Sequence, residues 1–377
     1  MKTIIRGYKY RLYPTEEQEM LINKTFGCVR YVYNYFLAMR IELYKTENKS
    51  LSYSKCSKLL TQLKKEKEWL REPDKFALQN SLKDLDTAYQ NFFRENKKDN
   101  KNQGFPKFKS KKNHYQSYRT NFTSNNIELD FTNNKIKLPK LGWVKCKPHR
   151  KFTGKILSAT ISKVPSGKYF VSLNVECEHE ELPKNNSAIG LDLGISDLLI
   201  TSDGEVFKNN KLTYKYEKKL AKLQRQLAKK QKGSKNFYKQ RMKVAKLYEK
   251  ITNIRKDYLH KISSLIVKEN QFIFSEDLNI KGMVQNKHLG KSIHDVSWYE
   301  LTRQLQYKSE WYGRVYHKVN RFYASSQLCS NCGYKNKEVK NLNVREWTCL
   351  RCGTIHQRDK NTAINILNQG LRELGIA

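Results

Sequence analysis

The sequence predicts a multidomain α+β protein on three observations. With 377 residues, the chain exceeds what one ordinary core organises, so two or three domains are expected. Short alternating runs punctuated by turn signals fill residues 118–181, the pattern of a small antiparallel β domain. From residue 187 onward come a strand, a hairpin, two long helices, a strand, a helix, a strand and a helix. That is the order of an RNase H-like fold.

Taken in order, residues 3–13 alternate as a strand and stop at Pro14. Thr15-Glu-Glu-Gln18 is a capping box, so a helix starts there and runs to about Tyr44. Leu21, Phe26, Val29, Val32, Tyr33 and Phe36 form its buried stripe. A second helix spans roughly Ser52–Leu70, ending before Pro73. A third, Lys75–Asn96, carries Leu78, Leu82, Leu85, Tyr89 and Phe92 on one face. Residues 94–113 read as a basic polar loop around Phe105-Pro-Lys-Phe-Lys109. In the β region, Asn133-Asn134, Gly142 and Ser166-Gly167 mark turns. Ile189–Leu193, Leu198–Ser202 and Glu205–Phe207 then read as consecutive strands, with Asp203-Gly204 as a hairpin turn. Residues 211–270 read as two long helices broken at Gly233-Ser234. A strand ending at Glu276, a helix around Trp298–Tyr312, a strand Val315–Phe322 and a closing helix Asn361–Leu374 complete the chain.

Charge narrows the function. Lys and Arg number 73 against 36 Asp and Glu, a net charge of +37 spread along the chain. Solubility needs far less, so a long polyanion is the economical partner. Residues 211–261 hold 18 basic side chains against three acidic ones, which suits a phosphate backbone better than a merely solvated surface. No basic amphipathic anchor, lipidation signal, signal peptide or 18-residue apolar stretch is present, which sets a membrane partner aside. The expectation is an intracellular protein of the bacterial cytoplasm, associated with the nucleoid.

Eight cysteines fall into two groups. Cys28, Cys56, Cys146 and Cys177 are scattered and read as reduced thiols. Cys329-x2-Cys332 and Cys349-x2-Cys352, 16 residues apart, have four-cysteine zinc spacing. Gly333 and Gly353 follow each pair, where the chain must turn around a metal. Four thiolates leave no open position for a catalytic water, so one structural Zn²⁺ is expected.

Three carboxylates stand in unusual contexts. Asp192 lies within the apolar run Ala188-Ile-Gly-Leu-Asp-Leu-Gly-Ile195. Glu276 ends the strand-like Gln271-Phe-Ile-Phe-Ser-Glu276. Asp359 opens a helix directly after the cysteines. Burying an ionised carboxylate among Ile and Leu costs several kcal/mol unless something positive compensates. Convergence on two Mg²⁺ ions would supply that compensation and the catalyst for phosphodiester hydrolysis. Asp192 is then the bridging ligand, flanked by Glu276 and Asp359. The bland alternative is a salt-bridged Asp192, an exposed Glu276 and a helix-capping Asp359. Asp197, Asp203 and Asp277 are explained by turn chemistry and exposure.

Gly190-Leu-Asp-Leu-Gly194, Ser275-Glu-Asp-Leu-Asn-Ile-Lys-Gly-Met283, the paired Cys-x2-Cys-Gly and Arg358-Asp-Lys-Asn-Thr-Ala-Ile-Asn-Ile366 occur in that order. With Tyr8-Lys-Tyr-Arg-Leu-Tyr-Pro14, Ala77-Leu-Gln-Asn-Ser-Leu-Lys-Asp84 and Gln116-Ser-Tyr-Arg-Thr-Asn121, the chain resembles the TnpB (OrfB) family nearly end to end. These are transposon-encoded RNA-guided DNA endonucleases similar to type V CRISPR effectors. The resemblance implies a RuvC-type nuclease domain over 187–377 with a zinc module at 325–356. It implies a wedge β-barrel made of a first strand in 1–14 and of 118–186, split by a helical recognition domain at 15–117. It implies a guide RNA and double-stranded DNA as partners; a monomer is the favoured expectation. Asp192, Glu276 and Asp359 match the catalytic acids. Tyr53, Lys75, Phe76, Gln79, Thr120 and Asn121 fall where the family reads a short duplex motif beside its target. Amides do read adenine edges, and Lys reads guanine or phosphate. Without the resemblance, Gln79 and Asn121 would pass as surface amides. Gln357 and Thr362 depart from the family's usual Asp and Ala, and neither is a metal ligand.

Two other readings compete. An RNA-guided DNA-binding repressor without cleavage would lack one or more of the acids, and all three are here. A guide-free, structure-specific RuvC-like nuclease would leave the first 180 residues unexplained. A transposase in the strict sense lacks its tyrosine–histidine constellation here.

Overall fold

The computed structural model describes residues 2–97, 104–341 and 343–376 and divides into two compact units, residues 3–178 and the chain from His179 onward. Part of the expected loop at 94–113 lies outside the described residues.

The first unit combines a sheet with three helices. Its strands are β1 (Lys2–Tyr13), β2 (Gln116–Asn121), β3 (Glu128–Asp130), β4 (Lys135–Leu138), β5 (Gly142–Lys147), β6 (Lys155–Lys163) and β7 (Tyr169–His179), in the order β2-β6-β7-β1-β5-β4-β3. The N-terminal strand therefore sits mid-sheet, between strands more than 120 residues later. It alternates with period two, burying Ile4, Tyr8, Tyr10 and Leu12 and exposing Ile5, Lys9 and Tyr13. Between β1 and β2 the chain inserts α1 (Glu16–Glu47), α2 (Tyr53–Glu66) and α3 (Lys75–Lys97). Thr15 and Gln18 form the expected capping box, each side chain bonding the other's backbone N–H. The buried stripe of α1 runs through Ile22, Phe26, Val29, Tyr33 and Phe36, with Ile22 in the place expected of Leu21. Leu78, Leu82 and Leu85 bury α3 against it, and the Ser81 hydroxyl donates to the Val29 carbonyl at 2.8 Å.

The second unit is built on a five-stranded sheet. Its strands are β8 (Ala188–Leu193), β9 (Asp197–Thr201), β10 (Val206–Lys208), β11 (Phe272–Glu276) and β12 (Val315–Val319), in the order β10-β9-β8-β11-β12. β8, β11 and β12 are mutually parallel, whereas β9 pairs antiparallel with β8 and β10 antiparallel with β9. The helices are α4 (Leu212–Ala228), α5 (Lys235–Glu269), α6 (Ile280–Val284), α7 (Gly290–Val296), α8 (Trp298–Tyr312) and α9 (Arg358–Glu373). Ser234 caps α5 by accepting from the Phe237 N–H at 3.1 Å, after Gly233 turns the chain with φ +88°. Ile189, Leu191, Leu199 and Ile273 pack with Leu259, Ile262 and Ile266 of α5 and Leu301 and Leu305 of α8. Phe274 and Val319 pack with Ile366 of α9 on the other face. The sheet is thus covered on both sides, which suits parallel strands. A small ribbon, β13 (Glu346–Thr348) and β14 (Ile355–Gln357), lies inside the cysteine region. Among the described residues no helix is long and apolar enough to cross a membrane.

Candidate functional site

Strand parity decides which way the acids face. In β8, Ile189 and Leu191 enter the core with α5 and α8, so Gly190 and Asp192 take the opposite, α9 face. In β11, Ile273 joins the same core as Ile189, so Phe274 and Glu276 take the α9 face as well. Ser275 pairs with Leu191 in parallel register, so one step further along Glu276 stands beside Asp192 at the carboxyl ends of both strands. The first turn of α9 brings Asp359 to the same place. Helix and strand approach closely there: a Cβ on Gly190 would lie 2.0 Å from the Ala363 carbonyl oxygen. Only glycine permits that contact.

Asp192, Glu276 and Asp359 line one open cleft of about 340 Å³, together with Asp197, Trp298, Ser326, Arg345 and Arg358. Burial first, then the charges of Glu276 and Asp359, push the Asp192 carboxyl well above the ordinary range, against Arg358 and Arg345. Burial also raises Glu276, although the Ser325 hydroxyl donates to its Oε1 at 2.8 Å. Asp359 leans on Arg345, whose Nη1 lies 3.3 Å from Oδ2. These are hard oxygen donors that line one cleft and repel one another, the donor chemistry of a Mg²⁺-type cation. Asp197 also lines the cleft, which exposure alone does not explain, and its carboxylate is paired with Lys208 at 3.1 Å. Asp277 is held by Arg321 and by Lys318 at 3.7 Å.

The four cysteines meet, with all sulfurs within 4.8 Å of one another. Each pair forms a knuckle. The Gly333 and Gly353 N–H groups donate to the Cys329 and Cys349 carbonyls at 2.9 Å, and both glycines have left-handed φ, +74° and +70°. The Thr354 hydroxyl and N–H lower the pKa of the Cys352 thiol, whereas burial raises that of Cys329. This donor set fits a four-coordinate Zn²⁺. His356, missed from the sequence because nothing in its spacing marks it, places Nε2 3.0 Å from Cys329 Sγ. Ser325 and Arg345 were missed likewise, since their partners lie 49 and 14 residues away.

In the first unit, α3 packs against β2. Lys75 is exposed, with its ammonium 5.1 Å from the Phe76 ring centre, and Phe76, Gln79, Tyr53 and Asn121 are half-buried. Asn80 Nδ2 donates to Asn121 Oδ1 at 3.2 Å and to the Arg119 carbonyl at 2.9 Å. Thr120 differs from its neighbours. It is fully buried, and its hydroxyl donates to Asp74 Oδ2 at 2.6 Å, so it braces the residue preceding α3.

Family models match three stretches. Residues 172–287 match OrfB_IS605, described as "Probable transposase", and residues 298–366 match "Cas12f1-like, TNB domain". Residues 1–49 match "Helix-turn-helix domain", although here they form one strand and one 32-residue helix. A candidate RNA-guided DNA endonuclease of Streptomyces pristinaespiralis is 39% identical over 98% of this chain and 90% of its own length. One from Escherichia coli K12 is 36% identical over 97% and 92%. A Cas12f1–sgRNA–target DNA complex solved by cryo-electron microscopy is distantly alike, at 16% identity and a TM-score of 0.37 over 97% of this chain and 99% of that one. Identity at this level over nearly the whole chain places it in the TnpB (OrfB) family.

Proposed function

We propose that the chain is an RNA-guided DNA endonuclease that hydrolyses double-stranded DNA complementary to its guide, beside a short fixed motif. The observation that carries this reading is the cleft formed by Asp192, Glu276 and Asp359 at the carboxyl ends of parallel strands. Support comes from the family's full-length relatives, whose names carry the same activity, and from the net charge of +37. The strand order of the second unit, β10-β9-β8-β11-β12, supports reading it as an RNase H-like, RuvC-type domain. On this reading the seven-stranded sheet is the wedge, α1–α3 form the recognition domain, and residues 325–356 are a zinc module.

Asp192, as the shared ligand, together with Glu276 and Asp359 would hold two Mg²⁺ ions. When bound, such ions lower the pKa of an attacking water and offset charge on the leaving 3′ oxygen. Ser325 orients Glu276 and Arg345 orients Asp359. Arg345 and Arg358 give the acidic cleft a positive rim that favours a phosphodiester. Tyr53, Lys75, Phe76, Gln79 and Asn121 face the duplex motif, and Thr120 supports them through Asp74. Base pairing with the guide carries the remaining specificity.

The test is substitution of the acids in the guide-loaded protein. Asp192→Ala, Glu276→Ala or Asp359→Ala each brings target cleavage in Mg²⁺ to background while guide RNA still binds. Undiminished cutting by Asp192→Ala removes the assignment.

A further inference from the structure

The cysteine cluster and the acidic cleft share a set of buried amides. Asn361 and Asn365, 2% and 4% exposed, lie one turn apart on α9, just beyond Asp359. Both donate Nδ2 to the same acceptor, the Leu328 carbonyl, at 2.7 Å. Asn361 Oδ1 also accepts from the Ser330 N–H at 2.9 Å, so its amide grips the backbone on both sides of Cys329. Asn365 Nδ2 donates in addition to the Ser325 carbonyl at 2.8 Å, and the Ser325 hydroxyl holds Glu276. The segment 325–330 is therefore fastened to α9, with a Glu276 contact at one end and a cysteine ligand near the other. The far side of the module closes on the first turn of α9. The Arg358 N–H donates to the Arg345 carbonyl at 2.8 Å, Arg358 Nη1 to the Asn341 carbonyl at 2.9 Å, and the Arg345 side chain reaches Asp359.

We infer that Asn361 and Asn365 are positioning residues that couple the cysteine cluster to the carboxylate cleft, so that zinc in one raises divalent-metal affinity in the other. The inference rests on the function proposed above. Filling the cluster fixes Cys329 and hence the Leu328 carbonyl and the Ser330 N–H. Through the amides this fixes the start of α9, which bears Asp359, and through Ser325 it fixes Glu276. Such coupling is reciprocal, so an occupied cleft also retains zinc better.

The probe is Mn²⁺, followed by electron paramagnetic resonance on the RNA-free full chain, with Asp192→Asn identifying the ions held in the cleft. In the unsubstituted chain, stripping zinc with phenanthroline followed by buffer exchange weakens cleft Mn²⁺ by about 10–100-fold, the range for losing an outer partner of a metal site. Asn361→Ala and Asn365→Ala, loaded with zinc, show a Mn²⁺ loss in the same range and release zinc faster to a chromogenic chelator. Unchanged Mn²⁺ affinity in the stripped parent overturns the coupling, and that comparison requires no substituted protein to fold. Faster zinc release from the alanine variants with unchanged Mn²⁺ affinity also overturns it, leaving the amides as plain loop braces. Mn²⁺ binding that ignores Asp192→Asn contradicts the proposed cleft itself, and the inference falls with it.

Discussion

Asp192 carries the sharpest conflict between stability and use. Its carboxyl is pushed well above the ordinary range, first by burial and then by Glu276 and Asp359. A carboxyl with a higher pKa folded than unfolded lends stability at low pH and loses it as pH rises through the folded value. Asn mimics the protonated acid. In Mg²⁺-free buffer near neutral pH, Asp192→Asn therefore unfolds at a higher temperature than the parent, by roughly 2–4 °C per kcal/mol relieved. The gap closes as pH falls to the ordinary carboxylate range, and added Mg²⁺ raises the parent only. An Asp192→Asn protein less stable than the parent at pH 7 contradicts this account of the cleft. Gln79, at the start of α3, is the corresponding test of motif reading. Gln79→Ala should lose about 1–3 kcal/mol of discrimination at the motif beside the target, the usual worth of one base-edge pair, with cleavage chemistry intact. Competition between matched and mismatched motif duplexes measures it.

At the scale of elements, the close approach of α9 to β8 sets Asp359 beside Asp192. Gly190→Ala puts a methyl 2.0 Å from the Ala363 carbonyl, which is helix backbone and cannot swing away. The substitution should destabilise the protein by about 1–3 kcal/mol, as overpacking does, and reduce cleavage by displacing the acid. Chemical denaturation alongside a cleavage assay checks both, and a fully active, fully stable Gly190→Ala removes the packing argument. The elements themselves were largely legible. The Thr15–Gln18 box, the α1 and α3 stripes, the Gly233-Ser234 break and the knuckle glycines are local, and short-range periodicity and turn chemistry encode them. The acids were visible because carboxylates in apolar strands are costly. What escaped was set by long-range pairing. Sequence spacing carries no mark of Ser325 holding Glu276, of Arg345 holding Asp359, or of β1 lying between β7 and β5. Thr120 was expected among the motif-reading side chains, and the α3–β2 packing buries it and commits it to Asp74.

Across the whole molecule, charge and carboxylates divide the work. On the proposed function, the +37 net charge would hold nucleic acid by its backbone, which predicts a steep salt dependence and little sequence preference. On the same proposal, specificity would come from pairing with RNA and from the few side chains on α3 and β2. The most direct measurement is cleavage of a plasmid by the purified protein with two guides of different sequence, each assayed in Mg²⁺ with the parent and with Asp192→Ala. The account predicts that changing the guide moves the cut to the newly matched site while the flanking motif stays the same. It also predicts no cut without RNA and none by Asp192→Ala with either guide. Cutting of the same site by RNA-free protein, or a cut that stays put when the guide changes, contradicts it.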